Sequence, residues 1–440
     1  MKNVLQTLVF LMIAVSVESY SQNPIKDLDV IPIITGLPDW DWTQANLIHI
    51  DSMKKAGIDF VNIHVENNTQ MNTLTNLGLK VIPNSSMGLN YIQYYTDAKY
   101  TVWETEDTAE DTSYLQHNPA VMYETTDGIN TYIKLRSEAA NNVDTLVWGP
   151  YYSQHVYELD LNNNYILANY TAAFSMKLEL NTAYPDTVEN MNDTICIIQV
   201  TQSSIATSPD WHLACTYVVR DSIIPRWKFL SLNRFQDFNL IYTLDSNACY
   251  EAPLSIPPPQ HHIASYTDNP EDISLQALTQ RHYIQFKVIW LGNPRYLISL
   301  DKITVHDDKG YNLIAGEDTL VTKGHILQQA SSLNSYNNYV AGWLGIDEPN
   351  SIDNYLPIKR VIEILKQHSN NERPLWLALM GKWDGVFNHR NDKFGTYHLS
   401  PWDEMKKRIG SMNLWQDAYY LDYPYRYNYG GSDTACNCTD

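Results

Sequence analysis

The chain has 440 residues and a formal charge of −20, a balance that argues against a nucleic-acid partner because binding phosphates needs concentrated Lys and Arg. It carries 12 Trp and 31 Tyr, a heavy aromatic load. Its five Cys (Cys196, Cys215, Cys249, Cys436 and Cys438) have no ordered set of His partners that would mark a zinc site.

Lys2, the apolar run Val4 to Val17 and Ser19-Tyr20-Ser21 read as an export signal cleaved after Ser21. The run is shorter than the ~20 residues that span a bilayer, and no later segment is apolar enough to cross one. The expectation is a secreted, periplasmic or cell-surface protein with no transmembrane segment after cleavage. An exported chain can hold a disulfide, so a bridge among the first three Cys is open. About 420 residues remain, room for two or three domains at ~100–200 residues each.

Val30 to Ser86 reads as strand, helix, strand, helix, strand. Val30–Ile34 is a short apolar strand, and Thr43 caps a helix with Leu47, Ile50 and Met53 on one side and Gly57 at its end. Phe60–Glu66 alternates as a strand. A helix carrying Met71, Leu74 and Leu77 stops at Gly78, and Leu79–Pro83 is the next strand. Helix–Gly–strand units in tandem indicate parallel βα construction.

From about Tyr100 to Asp308 the pattern becomes a series of alternating segments, among them Thr171–Leu180, Thr194–Val200, Tyr283–Trp290 and Tyr296–Val305. Turn-rich stretches such as Ser255–Pro259 separate them. This spacing predicts an antiparallel sandwich or jelly roll. The βα rhythm resumes near Leu320. Val340–Ile346 is a strand running into Asp347-Glu348-Pro349, and Ile358, Val361, Ile362 and Leu365 recur at helical spacing. Leu375–Met380 is a strand, Ser400-Pro401-Trp402-Asp403 starts a helix, and Ala418–Leu421 is a strand ending at Asp422-Tyr423-Pro424.

The expected architecture is therefore α/β plus all-β: a (β/α) TIM-type barrel, interrupted after its third strand by a β-sandwich (jelly roll). The spans are a signal peptide (1–21), a first barrel part (22–98), the inserted sandwich (99–320) and a second barrel part (321–440). Three strands precede the insert and three follow it. The flanking parts total about 190 residues against about 250 for a complete barrel, so the barrel is incomplete at its C-terminus, truncated, or closed in another way.

Gly345-Ile346-Asp347-Glu348-Pro349 resembles the fourth-strand signature of retaining (β/α)8 glycoside hydrolases, where the strand commonly ends Asn-Glu-Pro and the Glu is the acid/base. Asp347 in place of Asn is a departure shared with β-galactosidase-related barrels. The resemblance implies hydrolysis of glycosidic bonds in a poly- or oligosaccharide, with Glu348 as general acid and no cofactor required for catalysis. A glycosidic oxygen leaves poorly unless protonated, and a carboxylic acid held neutral can protonate it.

The family's nucleophile ends the seventh strand and has no counterpart here. Asp422 is the best second carboxylate by strand-end position, ahead of Asp384, Glu66 and Asp347. Trp40, His64, Glu66, Asn84, Asp347, Trp383 and Tyr425 stand at or after strand ends, where stacking faces and hydroxyl-binding groups would hold a sugar.

Within the insert, Tyr100–Glu106 resembles the opening Glu-x-Glu strand of a group of carbohydrate-binding jelly rolls, and Leu300–Val305 its Asp-containing closing strand. The resemblance implies that Glu104, Glu106 and Asp301 hold a structural calcium ion, a hard cation that takes six to eight oxygens. The alternative to an enzyme is a non-catalytic carbohydrate-binding or surface protein that keeps the barrel as a scaffold, since fold does not guarantee chemistry.

Overall fold

The computed structural model describes residues 33–34, 51–52, 54–55, 59–105, 115–155, 157–161, 165–184, 194–203, 212–220, 234–244, 281–347, 352–368, 373–380, 409–410 and 413–417. In chain order the elements are β1 (Ile33–Ile34), β2 (Phe60–Val65), α1 (Asn68–Asn76), β3 (Lys80–Ser86), α2 (Tyr91–Thr96), β4 (Tyr100–Glu104), β5 (Leu115–Gln116), β6 (Met122–Thr126) and β7 (Thr131–Leu135). Then come β8 (Asp144–His155), β9 (Tyr157–Leu159), β10 (Tyr165–Leu167), β11 (Asn169–Leu180), β12 (Thr194–Ser203), β13 (His212–Arg220), β14 (Gln236–Thr243), β15 (Arg281–Trp290) and β16 (Tyr296–His306). The last are α3 (Asp308–Ile314), α4 (Thr319–Ser331), β17 (Trp343–Asp347), α5 (Tyr355–His368), β18 (Leu375–Met380) and β19 (Asn413–Asp417).

Most of the described strands are antiparallel and form two sheets. One has the order β14-β11-β16-β7-β6, with β4 also paired to β16; the other is β13-β12-β15-β8-β5. Alternation along each strand sends one set of side chains between the sheets. Phe174, Met176, Ile298, Leu300 and Ile303 come from the first sheet, and Trp148, Ile198, Val200, Phe286, Val288 and Trp290 from the second; all are buried. Phe174 meets Phe286 edge to face, with ring centroids 6.4 Å apart. The Trp290 indole, sealed in this layer, donates to the Ala140 carbonyl at 2.9 Å, so its one polar group is satisfied.

The expectation of a TIM-type barrel is overturned. Among the described residues, parallel pairing is confined to two short runs, β1-β2-β3 and β17-β18-β19. They touch through one parallel bridge, Val81 to Val340, flanked by Val81 N–H to the Tyr339 carbonyl (2.7 Å) and Ala341 N–H to the Val81 carbonyl (2.8 Å). A barrel needs every strand paired on both sides. Among the described residues β1 and β19 each have one partner, and antiparallel sandwich strands dominate. The last described strand, Asn413–Asp417, pairs with β18, and the expected strand Ala418–Leu421 lies outside the described residues. The export signal lies outside the described residues. No helix among them is long and apolar enough to cross a membrane.

The parallel strands are covered by amphipathic helices. Asn67 caps α1 by accepting from Gln70 N–H (3.1 Å), and the helix buries Met71 and Leu74; α5 buries Ile358, Val361, Ile364 and Leu365.

The chain enters and leaves the sandwich at one place. β4 and β16 pair with Tyr100 opposite His306, and the residues just outside this pair interlock. Asp307 caps α3, its Oδ1 accepting from Gly310 N–H (2.6 Å) and Lys99 N–H (3.1 Å). The Lys309 ammonium lies 3.2 Å from Asp97 Oδ2 and 2.9 Å from Glu158 Oε2 on β9, and Lys99 Nζ lies 2.9 Å from Asp97 Oδ1. Asn354 Nδ2 donates to the carbonyls of Asp97 and Ala98, each at 3.1 Å. A Cβ on Gly310 would stand 1.9 Å from the Lys99 carbonyl oxygen, so the close approach of the two segments admits only glycine there.

Burial disfavours charge on Lys309, but Asp97, Asp307 and Glu158 outweigh it and raise its pKa. Burial pushes Asp307 up to about 7, with Lys309 acting against the rise and Glu158 adding to it.

Two outcomes are expected. Phe286→Ala opens a cavity between the sheets and should cost about 3–5 kcal/mol in urea denaturation. Asp307 is the second case. Its folded pKa lies above its unfolded value near 3.8, so its contribution is fully present below pH ~4 and is lost as pH rises towards 7. Relative to wild type, Asp307→Asn should gain melting temperature progressively between pH 4 and 7 and keep a constant offset above it. A parallel pair of profiles over that range would show that Asp307 does not titrate there.

Candidate functional site

The side of the six-stranded sheet that faces away from the second sheet is unusually polar and unusually well covered. Alternation opposite Phe174, Met176 and Leu178 turns Ser175, Lys177 and Glu179 of β11 to this side, and alternation opposite Ile298 and Leu300 turns Ser299 the same way. Ser175, Lys177 and Ser299 are nonetheless buried, Ser299 completely.

Strand registers arrange these groups in rows. Tyr123 of β6 stands opposite Lys134 of β7, Lys134 opposite Ser299 of β16, and Ser299 opposite Lys177 of β11. Directly opposed residues bring their Cβ atoms to ~4.5–5.5 Å, so the four form one continuous strip. A second row holds Thr125 and Tyr132, which are opposed across β6 and β7, and a third holds Glu104, Lys302, Ser175 and Asp237.

Aromatic and charged groups fill the strip. The Tyr132 ring meets Phe235, which directly precedes β14, at 5.1 Å and 67°. The Lys177 ammonium lies 5.0 Å from the Tyr132 centroid and 5.4 Å from that of Phe235. Tyr132 is buried and Phe235 half-buried, so Phe235 is the ring with an accessible surface. Arg136 stacks over Tyr123 at 4.5 Å. Lys134 donates to Glu179 Oε2 at 2.7 Å, while Lys177 is 3.8 Å from the other oxygen of that carboxylate. Burial works against the charge on Lys134, but the bond to Glu179 prevails and raises its pKa.

The far end of the face is acidic. Across β11 and β16 the register skips at Asp301, so Asp301 is the extra residue of a β-bulge. It is buried; desolvation raises its pKa, Lys302 opposes this, and Asp127 and Asp237 reinforce it. Asp127 sits in the β6–β7 turn and accepts from Asn130 N–H (2.8 Å) and Ile129 N–H (2.9 Å), bonds that lower its pKa. Gly128 takes φ +92° in this turn, a conformation that favours glycine.

Of the sequence-derived metal ligands, Glu104 and Asp301 are neighbours across Lys302, whose ammonium is 3.5 Å from Glu104 Oε1 and 3.9 Å from Asp301 Oδ2. Glu106 lies outside the described residues. Among the described residues no group of three His, Cys, Asp or Glu side chains is placed to hold a metal ion.

The strand-end residues fall into two sets. His64 is exposed at the end of β2 with Nδ1 2.9 Å from Ser85 Oγ, and exposed Glu66 accepts from Gln70 Nε2 at 3.4 Å. Asn84 Oδ1 accepts from Asn62 Nδ2, and Asp347 is the last residue of β17. Trp40, Glu348, Trp383, Asp422 and Tyr425 lie outside the described residues, as does Asp384.

Apart from Glu104 and Asp301, the residues of the polar face were not singled out from the sequence. The signal was present: in Asn169–Leu180 and Thr131–Leu135 the positions between the apolar ones carry Tyr, Lys, Ser and Glu.

No family model and no curated protein matches the chain. Among solved structures it is similar to one described as "CBM4 structure and function", at 10% identity and TM-score 0.22, over 43% of this chain and 97% of that one. A second is the CBM22-1-GH10 modules of endo-1,4-β-D-xylanase 10B from Clostridium thermocellum, complexed with xylohexaose. There the identity is 10% and the TM-score 0.25, over 64% of this chain and 46% of that one. A third is a non-crystalline-cellulose-specific carbohydrate-binding module, CBM28, at 9% identity and TM-score 0.21, over 47% of this chain and 91% of that one. Likenesses at this level assign neither a family nor an activity.

Proposed function

We propose that this chain binds carbohydrate through the outer side of its six-stranded sheet, and that binding rather than bond cleavage is the role of that face. The observation that carries the reading is the half-buried Phe235 ring, held edge-on by Tyr132 beside the Lys177 ammonium and set among side chains that donate and accept hydrogen bonds. A sugar presents apolar C–H patches and a rim of hydroxyls. An aromatic surface bordered by Lys, Ser, Asp and Glu matches both kinds of group.

The buried polar side chains support the same reading. Ser175, Lys177, Ser299 and Asp301 lose most of their hydration in the fold, which leaves them pre-oriented. A ligand bonding to them would meet little further ordering cost. Nothing in this reading requires the acid/base pair Glu348 and Asp422.

The test is affinity electrophoresis of the full chain through gels containing neutral and acidic polysaccharides. At least one glycan should retard the protein, and Phe235→Ala should weaken that retardation about fivefold to tenfold while leaving the melting temperature nearly unchanged. Failure of every glycan to retard the wild type, or equal retardation of wild type and variant, would overturn the proposal.

A further inference from the structure

We infer that the ligand of this face carries an anionic group, a carboxylate or a sulfate ester on a sugar ring, seated between Lys177 and Ser299. The inference rests on the carbohydrate reading above and adds the charge class of the sugar. Three observations point to it. The Lys177 side chain is only 10% exposed, and among the described residues its ammonium meets one carboxylate oxygen at 3.8 Å, beyond hydrogen-bond distance, and two aromatic faces. The Ser299 hydroxyl is fully buried and has no hydrogen-bond partner among the described residues, although buried hydroxyls nearly always find one. Ser299 and Lys177 are register partners on adjacent strands, so an N–H donor and an O–H donor stand side by side on the same face.

Two adjacent donors of this kind match two oxygens of one anion. Lys177 would donate a charge-assisted bond to one and Ser299 a neutral bond to the other. Glu179, the nearest carboxylate, is bonded by Lys134 at 2.7 Å and lies 3.8 Å from Lys177 through its other oxygen, so two ammonium groups share this one carboxylate and the strip keeps an excess of positive charge beside it. Arg136 over Tyr123 extends the positive end. Asp237 and Asp301 gather towards the bulge and would repel an anion placed there, which favours one direction for such a chain; Asp127 acts on Asp301 and also on Lys177. The overall charge of −20 acts against an acidic glycan at long range, but salt screens that repulsion beyond ~8 Å at physiological ionic strength, whereas contacts at Lys177 are local.

The experiment uses the full chain and titrates four polymers by isothermal calorimetry: polygalacturonate, its methyl ester, a sulfated galactan and the unsulfated galactan. Binding of polygalacturonate at least about tenfold tighter than its methyl ester, or of sulfated over unsulfated galactan by the same margin, is expected, and the pair that responds identifies the anion. Lys177→Met should erase that preference while retaining residual affinity for the neutral polymers, Lys177→Arg should keep part of it, and Ser299→Ala should reduce it with the fold intact by circular dichroism. Equal affinity for charged and neutral members of both pairs would overturn the inference while leaving the carbohydrate reading standing, since the neutral polymers would still bind. An anion preference that survives Lys177→Met would overturn the assignment of the site. Absence of binding to all four would overturn the inference, and retardation by another glycan in the gel panel would separately decide the carbohydrate reading.

Discussion

The fold depends on one buried cluster of charge. Where β4 begins and β16 ends, Lys309 is gripped by Asp97 and Glu158, Asp97 is bound again by Lys99, and Asp307 holds the backbone of both passing segments. Charges are rarely buried unless paired, because each loses its hydration. Here the partners come from separate parts of the chain: the end of α2, the start of α3, the β9 ribbon and, through Asn354, the approach to α5. Lys309 is the shared partner of Asp97 and Glu158, so its removal would leave Glu158 without its cation and loosen the way these segments meet.

That constraint has consequences for the face opposite the sandwich core. With β4 and β16 clamped at Tyr100 and His306, the bulge at Asp301 lies five residues further back along β16, and it bends the strand just where Glu104, Lys302 and Asp237 come together. The Thr105 hydroxyl then bonds the Thr131 carbonyl at 3.1 Å, joining the end of β4 to the start of β7. The rows of side chains on the outer face owe their spacing to these registers. The polar character of the face is local, but its covered geometry is a product of long-range pairing.

Several elements were legible from local pattern alone. Period-2 alternation marked Thr171–Leu180, Thr194–Val200, Tyr283–Trp290 and Tyr296–Val305, and the strands found there extend each by at most a few residues. Their apolar positions point into a dry layer, which is why alternation survives so clearly in the sequence. The helix at Ile358, Val361, Ile362 and Leu365 was equally plain, since its buried stripe recurs at the helical period. The strand Asn413–Asp417 was not singled out because Asn413, Gln416 and Asp417 interrupt its apolar residues, and only its pairing with β18 marks it as a strand. The barrel expectation failed for a related reason: a βα rhythm reports that strands are parallel, not that the sheet closes.

The sequence by itself determined which residues face inward, where the two kinds of β pairing occur along the chain, and that the protein is acidic and rich in Tyr and Trp. Each of these follows from a period of two or from composition, quantities that a linear reading contains. Only the tertiary structure decided that Lys177 and Ser299, 122 residues apart, are register partners, that Phe235 meets Tyr132, and that Lys309 lies among Asp97, Asp307 and Glu158. Such neighbours arise from strand register and loop closure over long stretches of chain, and neither property leaves a signature in the residues on its own.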